Sequence, residues 1–297
     1  MDIIKKTIQD IKDLKIQGAT NIVFSSLQVL KKDWQEKKYQ DIKDLKEKIK
    51  ALKSARPTEP LLFNCLNNVF SQVKELNDLK YLAQIIDDLV QNLDEIQKEI
   101  VQNGVGLIKD KMTVFTHCHS TSVVEILKAA KAKGKKIKVF LTETRPKYQG
   151  RITAQELMKA GIKATMTTDS AAAYIISKED KISIDLVLLG CDAILPDKGV
   201  FNKIGSYDMA LSAHEAKIPV FIAGSLLKTS IKPLIIEERK AEEVWEKKPR
   251  NLKILNLAFD FIPQRFIVGM TTEFGLVKPK EIKKLVSKNY AFILRKN

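Results

Sequence analysis

Short runs of β-branched and other apolar residues alternate with helical stretches after residue 105, and this alternation constrains the fold more than any other feature. Five runs are predicted to be strands, at residues 113–116, 137–142, 164–168, 186–189 and 220–223. Helical patterns lie between them, near residues 121–132, 153–160, 170–177 and 207–216. Such alternation is typical of βαβ units, in which helices cover both faces of a parallel sheet. Ligands of these sheets bind beyond the carboxyl ends of the strands.

The first 105 residues contain helical patterns only. Apolar residues such as Leu82, Ile86, Leu89 and Leu93 recur at helical spacing. Two prolines in the segment 54–60 interrupt the pattern with a loop. We therefore predict an α/β protein in which an N-terminal all-helical domain, residues 1–105, precedes a Rossmann-like parallel-sheet domain, residues 106–297.

The charge of the chain raises the question of nucleic-acid binding. It has 51 lysine and arginine residues against 36 aspartate and glutamate residues, a formal net charge of +15 at pH 7. Such an excess is typical of proteins that bind nucleic acid. The basic residues are, however, spread along helices and mixed with acidic ones. This distribution favours a solvated charged surface, and the patterning rules also fit a nucleic-acid face.

The sequence does not indicate membrane insertion, a disulfide framework or a zinc site. No apolar run reaches the ~20 residues that span a bilayer, and the lysine-rich, amphipathic N-terminus does not resemble a signal peptide. The three cysteines, Cys65, Cys118 and Cys191, are too few and too scattered for a disulfide framework or a Cys-x-x-Cys zinc site. We expect a cytoplasmic protein that does not associate with a membrane.

The junction between the first predicted strand and its helix combines a thiol with a cluster of hydroxyl groups. The strand ends on Cys118, and Ser120, Thr121 and Ser122 open the helix. A helix N-terminus binds phosphate and lowers the pKa of a neighbouring thiol, so one junction could hold a phosphate and supply a thiolate. Alternatively, the cysteine packs as a small hydrophobic residue and the hydroxyls only cap the helix.

The fourth predicted strand is followed by an acidic residue, Asp192, with no neighbour in the sequence to neutralise it. A partly buried carboxyl group there would have a raised pKa and could donate a proton at neutral pH. The simpler alternative is an aspartate that caps a turn. Asn202 and Lys203 lie in the next glycine-containing loop, where they could hold substrate hydroxyls and a phosphate.

Taken in order along almost the whole chain, these segments resemble one family. It comprises ribose-1,5-bisphosphate isomerase, methylthioribose-1-phosphate isomerase and the regulatory subunits of the exchange factor for translation initiation factor two. The resemblance rests on six segments: Ile16-Gln-Gly-Ala19, Ser54-Ala-Arg-Pro-Thr58, Thr116-His-Cys118, Gln149-Gly150, Gly190-Cys-Asp-Ala193 and Asn202-Lys-Ile-Gly-Ser-Tyr207. One residue departs from the pattern, because Gln17 stands where the isomerases carry arginine.

The resemblance implies Cys118 as proton acceptor and Asp192 as proton donor, with no metal and no cofactor. It also implies an assembly that is at least a homodimer, or a trimer of dimers. The substrate contacts that it implies come from Gln17, Gly18, Ala19, Thr20, Arg56, Ser120, Thr121, Ser122, Gln149, Asn202, Lys203 and Lys228.

The resemblance leaves three functions open. Because Cys118 and Asp192 are both present, we expect a metal-independent aldose–ketose isomerase that acts on a phosphorylated pentose and converts ribose 1,5-bisphosphate to ribulose 1,5-bisphosphate. The second possibility is a non-catalytic regulatory protein of archaeal type that binds initiation factor two and a nucleotide or sugar phosphate. The third is methylthioribose-1-phosphate isomerase.

Overall fold

Five helices form the first part of the chain in the computed structural model, which describes residues 2–37, 39, 41–177, 182–234 and 236–294. The helices are α1 Ile3–Lys12, α2 Ala19–Lys37, α3 Ile42–Lys53, α4 Pro60–Gln72 and α5 Leu82–Val105. Proline fits the first position of α4, because the N–H group that it lacks would have no hydrogen-bond partner within the helix there. The long helix α5 packs against α2 and α4, so the apolar stripe predicted from the sequence is buried.

A seven-stranded sheet with its helices follows this helical part. The strands are β1 Thr113–Thr116, β2 Lys138–Thr142, β3 Lys163–Thr167, β4 Leu186–Leu189, β7 Val220–Ala223, β9 Gly269–Thr272 and β10 Gly275–Val277. Their spatial order is β10-β9-β7-β4-β1-β2-β3. All neighbours are parallel except the edge pair of β9 and β10. The predicted Rossmann-like class is confirmed, and the five predicted strands are present to within one residue at each end.

A second, antiparallel sheet and several helices complete the described chain. The small sheet has the order β5-β6-β8, with β5 Ala193–Leu195, β6 Gly199–Lys203 and β8 Phe259–Pro263. The helices are α6 Thr121–Ala132, α7 Gln149–Lys159, α8 Ala172–Ile176, α9 Ser206–Glu215 and α10 Ile282–Asn289. The small sheet, β9, β10 and α10 were not predicted.

The predicted boundary between two domains falls where the helices of the first part give way to the strands of the large sheet. Helix α5 ends at Val105 and β1 begins at Thr113. Helix α5 nevertheless packs directly against α6, β9 and β10, so the two parts share an extensive contact. The division at residue 105 therefore stays a prediction. Within the described residues, no helix is both long enough and apolar enough to cross a membrane.

Candidate active site

A cavity of about 500 Å³ opens at the carboxyl edge of the large sheet. It lies where the parallel strands β1, β2, β4 and β7 end, and the first helical part closes it through the loop before α2 and the loop before α4. The structure brings together in its lining every residue predicted for the site: Gln17, Gly18, Ala19, Thr20, Arg56, Cys118, Ser120, Thr121, Ser122, Gln149, Asp192, Asn202, Lys203 and Lys228.

The backbone holds Cys118 in a left-handed conformation with φ of +65°. Its N–H donates to Thr144 Oγ1 at 3.0 Å, and its carbonyl oxygen accepts from Thr153 Oγ1 at 2.8 Å. A non-glycine residue rarely adopts positive φ, and such strain persists only where the surroundings enforce it. The strand itself ends at Thr116, so Cys118 lies in the turn after the strand and not at its last position.

The prediction that the helix terminus lowers the pKa of the Cys118 thiol was wrong. Burial raises the pKa to about 11, because it disfavours the charged thiolate. The ammonium group of Lys203 acts in the opposite direction, and the carboxylate of Asp192 adds to the increase. The three groups therefore act on one another's charge within a single cavity. In this structure Cys118 is a neutral thiol at neutral pH.

The two histidines beside Cys118 are both engaged with protein groups. His117 is buried, with Nδ1 at 2.5 Å from Thr142 Oγ1 and Nε2 at 2.9 Å from the carbonyl oxygen of Ile204. Burial lowers its pKa to about 4, so the ring is neutral at physiological pH. His119 Nδ1 lies 3.1 Å from Thr153 Oγ1. Among the described residues, no group of three or more metal-ligating side chains is clustered.

Asp192 lies just beyond β4, and its N–H donates to the carbonyl oxygen of Phe201 at 2.9 Å. Burial raises the pKa of its carboxyl group, as predicted from the sequence, whereas the positive charges of Lys228, Arg56 and Lys203 lower it. Because burial dominates, the carboxyl group holds its proton more tightly than an exposed aspartate does. This shift favours the protonated form, which a proton donor requires.

Asn202 and Lys203 are held at the end of β6. Asn202 is buried, and its Nδ2 donates to Ser206 Oγ at 2.8 Å. The carboxylate of Asp260 accepts from the N–H groups of Gly205 and Tyr207 at 2.7 and 3.0 Å and so fixes the following turn. These contacts fix the backbone around Lys203, whose side chain lines the cavity.

The hydroxyl groups at the start of α6 differ in their contacts. Ser120 is the N-cap, and its Oγ accepts from the N–H of Val123 at 3.5 Å, a long contact. Ser122 Oγ donates to Gln97 Oε1 on α5 at 2.8 Å. A Cβ atom at Gly190 would lie 2.7 Å from Ser120 Cβ, so glycine is needed where β4 passes the start of the helix.

Two polar atoms that belong to cavity-lining residues are buried and have no hydrogen-bond partner among the described residues. They are Oε1 of Gln149, the first residue of α7, and Nε of Arg56. The guanidinium group of Arg56 also contacts Glu237, with Nη2 at 3.2 Å from Oε2. Buried polar atoms are rarely left unpaired, and an unsatisfied one calls for a ligand or another explanation.

The side chains of Gln17 and Lys228 bond to the protein itself. Gln17 Nε2 donates to the carbonyl oxygen of Leu14 at 2.7 Å, within the loop before α2. Lys228 Nζ donates to the carbonyl oxygen of Cys191 at 2.6 Å. The amide of Gln17 is therefore hydrogen-bonded within its own loop. The ammonium group of Lys228 is held next to the backbone of Asp192.

Sequence reasoning missed a group of charged residues from the irregular segment between β7 and β8. Arg239 lines the cavity and bridges Glu237 and Glu243 at 2.6 and 2.9 Å. Lys147, in the loop before α7, also lines the cavity, and its Nζ lies 3.7 Å from Glu243 Oε1. Lys15 and Asn256 are two further polar lining residues that it missed. The only local signal was an acidic–basic cluster at residues 237–239, which periodicity cannot distinguish from a solvated surface.

Comparisons with known proteins identify what this arrangement resembles. The model of the Initiation factor 2 subunit family matches residues 15–279. Ribose 1,5-bisphosphate isomerase of Methanocaldococcus jannaschii is 35% identical over 304 residues, covering 99% of this chain and 97% of that protein. Methylthioribose-1-phosphate isomerase of Fervidobacterium nodosum is 34% identical and covers 93% and 87% of the two chains. The crystal structure of translation initiation factor eIF-2B from Pyrococcus horikoshii OT3 superposes with a TM-score of 0.81 at 26% identity, covering 93% and 97%.

Proposed function

This chain belongs to the Initiation factor 2 subunit family, and from that premise we propose that it is a sugar-phosphate isomerase that converts ribose 1,5-bisphosphate to ribulose 1,5-bisphosphate. The observation that carries the proposal is the shared cavity of Cys118 and Asp192, in which Lys203 acts electrostatically on both. Relatives named as isomerases of two phosphorylated pentoses, at about one-third identity over nearly the full chain, support it.

The first step opens the sugar ring. The carboxyl group of Asp192 gives its proton to the ring oxygen while the bond from that oxygen to C1 breaks, and the electron pair of the bond stays on the oxygen. Burial raises the pKa of Asp192, which favours the protonated form that this step uses. C1 is left electron-deficient, which makes the proton on C2 acidic.

The second step moves a proton between two carbons. The Cys118 thiol first loses its proton to solvent, a loss that the nearby Lys203 ammonium group favours. The thiolate then takes the proton from C2, and the freed electron pair forms a C1–C2 double bond, which gives an enol phosphate. The thiol then returns a proton to C1 while the C2 hydroxyl gives its proton to the carboxylate of Asp192, which leaves a ketone at C2. Asp192 ends protonated, and Cys118 ends as a thiolate that regains its proton from solvent. Lys203 stabilises the thiolate during the transfer.

Several groups are placed to bind the phosphates and hydroxyls of the substrate. The N–H groups at the start of α6 and the cations Arg56 and Lys203 suit phosphate. The unpaired Oε1 of Gln149 suits a sugar hydroxyl, which would satisfy a buried acceptor. Lys228, predicted as a substrate contact, serves better as the charge partner of Asp192, because its ammonium group is hydrogen-bonded to the carbonyl oxygen of the preceding residue.

The test is an assay of the purified chain for ketose formation. Ribose 1,5-bisphosphate and methylthioribose 1-phosphate are supplied separately, and the Cys118→Ser and Asp192→Asn variants serve as comparisons. We expect turnover of the bisphosphate that both variants lose. Turnover of methylthioribose 1-phosphate alone would assign the other isomerase activity, which the 34% identical Fervidobacterium relative favours.

The non-catalytic alternative has one observation in its favour, namely the similarity to a solved structure described as translation initiation factor eIF-2B. Co-purification with initiation factor two, together with no turnover of either pentose phosphate, would support it and would contradict the isomerase proposal. Assembly as a homodimer or a trimer of dimers stays a prediction that mass photometry of the same preparation tests.

A further inference from the structure

A network of buried hydrogen bonds passes through the backbone of Cys118 and uses side chains that have no role in the proposed mechanism. His117, Thr142 and Thr144 are each no more than 1% exposed. Cys118 and Thr144 both have positive φ, +65° and +63°. Buried polar groups are costly unless they are paired, and a fully paired network holds the backbone around it rigidly. The donor and the acceptor of each bond in this network can be assigned.

The direction of the first half follows from a single carbonyl group. The carbonyl oxygen of Ile204 can only accept, so His117 must carry its hydrogen on Nε2, which lies 2.9 Å away. Burial lowers the pKa of His117 to about 4, so the ring is neutral and Nδ1 accepts from Thr142 Oγ1 at 2.5 Å. Because the hydrogen of Thr142 is then used, its Oγ1 accepts from Thr144 Oγ1 at 3.2 Å. Thr144 Oγ1 in turn accepts from the N–H of Cys118 at 3.0 Å.

The second half begins at the carbonyl oxygen of Cys118. That oxygen accepts the hydrogen of Thr153 Oγ1 at 2.8 Å. Thr153 Oγ1 can then only accept from His119 Nδ1, which lies 3.1 Å away, so His119 carries a hydrogen on Nδ1. Burial lowers the pKa of His119 as well, which favours the neutral ring without a hydrogen on Nε2. The two histidines beside Cys118 are thus assigned opposite hydrogen positions, Nε2–H in His117 and Nδ1–H in His119.

The network ends on the turn that carries Lys203. Ile204 directly follows Lys203, and the positive charge of Lys203 lowers the pKa of both His117 and Cys118. The buried thiol needs that charge, because burial raises the pKa of Cys118 to about 11. The attraction between an ammonium group and a thiolate falls with their distance. The separation of the two turns therefore determines how strongly Lys203 favours the thiolate.

We propose that His117 and His119 are positioning residues, which hold the Cys118 turn and the Lys203 turn at a fixed separation through this one-directional network. Its importance for catalysis rests on the isomerase function proposed above, in which Lys203 stabilises the Cys118 thiolate. The hydrogen positions and the effect on the thiol do not depend on turnover. The other charged groups that act on the thiol are the carboxylates of Asp192 and Asp169.

The first experiment measures the hydrogen positions directly. The protein contains three histidines, so a two-bond ¹H–¹⁵N spectrum of protein labelled with ¹⁵N-histidine should show three rings. His119→Gln and His214→Gln each remove one set of signals and so assign all three. At about pH 7.5 we expect a protonated Nε2 and an unprotonated Nδ1 in His117, and the reverse in His119. The same hydrogen position in both rings, or exchange between the two positions in either ring, would overturn the proposal.

The second experiment breaks the network at its middle. Thr142→Val removes the hydroxyl group and keeps the shape of the side chain. The Lys203 turn should then move away from the thiol, so the pKa of Cys118 should rise. Alkylation of Cys118 by iodoacetamide at about pH 9 should slow about tenfold for each unit of that rise. Thr142→Ser, which restores a hydroxyl, should recover most of the rate, and Thr165→Val, an exposed change of the same chemistry on β3, should leave the rate unaltered.

Lys203→Met decides whether the network acts through the ammonium group. Because Lys203→Met already removes the charge, adding Thr142→Val to it should slow alkylation no further. Equal fold-losses from Thr142→Val with and without Lys203 would indicate a packing role and would overturn the proposal. If alkylation and hydrogen positions are as expected but the wild type forms no ketose, only the proposed function fails. If the wild type forms ketose but the two losses are independent, only the positioning role fails.

Discussion

Lys228 donates a hydrogen bond from Nζ to the backbone carbonyl oxygen of Cys191 at 2.6 Å. This contact fixes an ammonium group beside the residue that precedes Asp192. The positive charge lowers the pKa of the Asp192 carboxyl group, while burial raises it, and burial is the larger effect. Burial thus favours the protonated form of the proposed donor, and the fixed ammonium group opposes part of that effect.

Replacement of Cys118 by serine tests the proton acceptor. A serine hydroxyl is far less acidic than a thiol, so Cys118→Ser should lower kcat by ~10²- to 10⁴-fold, the range that general acid–base groups contribute. Substrate binding, measured by calorimetry, should remain. Cys65→Ala, which removes a buried thiol outside the cavity lining, should retain turnover. Near-normal turnover in Cys118→Ser would remove Cys118 from the mechanism.

Replacement of Asp192 by asparagine tests the proton donor. The amide keeps the shape of the carboxyl group but cannot give its proton to the ring oxygen, so Asp192→Asn should stop the reaction before C2 loses its proton. Exchange of the C2 proton with deuterium from solvent, followed by NMR, should be lost. Asp208→Asn, an exposed change on α9, is the matched control and should show normal exchange. Exchange at the wild-type rate in Asp192→Asn would contradict its role.

The raised pKa of Cys118 predicts how its alkylation depends on pH. Only the thiolate reacts with iodoacetamide, so the rate of Cys118 alkylation should rise about tenfold per pH unit below the pKa. It should continue to rise towards pH 11, beyond the range of an exposed cysteine. Mass spectrometry of the peptide that contains Cys118 measures this rate separately from Cys65 and Cys191. A rate that levels off below pH 8 would mean that the helix terminus outweighs burial.

Gln17→Arg should strengthen substrate binding. The Gln17 amide is bonded to the carbonyl oxygen of Leu14, and it carries no charge. An arginine there would add a guanidinium group at the cavity, and a charge-assisted hydrogen bond to phosphate contributes ~1.5–3 kcal/mol. KM for the bisphosphate should fall by about one to two decades. Gln17→Met, which is neutral and similar in length, should not lower KM, and an unchanged KM in Gln17→Arg would place this residue away from phosphate.

Gly150→Ala should destabilise the fold near the cavity. A Cβ atom at Gly150 would lie 1.9 Å from the carbonyl oxygen of Thr142, so α7 must move away from β2. We expect a loss of about 3 kcal/mol or more in the free energy of unfolding, measured with urea. Gly134→Ala meets no atom within 4 Å and only opposes a positive φ, so about 1 kcal/mol is expected there. Equal losses in the two variants would show that α7 can shift without strain.

Sequence reasoning located most of the candidate site because its residues follow strands that periodicity identifies. Cys118 and Asp192 come after β1 and β4, and parallel strands bring their carboxyl ends to one edge. Arg239 escaped notice because it lies in a segment without periodicity, and the sequence does not show what that segment packs against. The pKa of Cys118 was mispredicted because segments distant in the sequence bury the thiol. The increase that burial causes is larger than any decrease from the adjacent helix terminus.

The most direct measurement is an NMR experiment with the purified chain and ribose 1,5-bisphosphate in deuterated water. The account predicts that ribulose 1,5-bisphosphate forms and that C1 of the product acquires deuterium to the extent that the Cys118 thiol exchanges its proton before returning it. Both Cys118→Ser and Asp192→Asn should abolish product formation. Unaltered substrate with the wild-type protein, or equal product formation by the two variants and the wild type, would contradict the account.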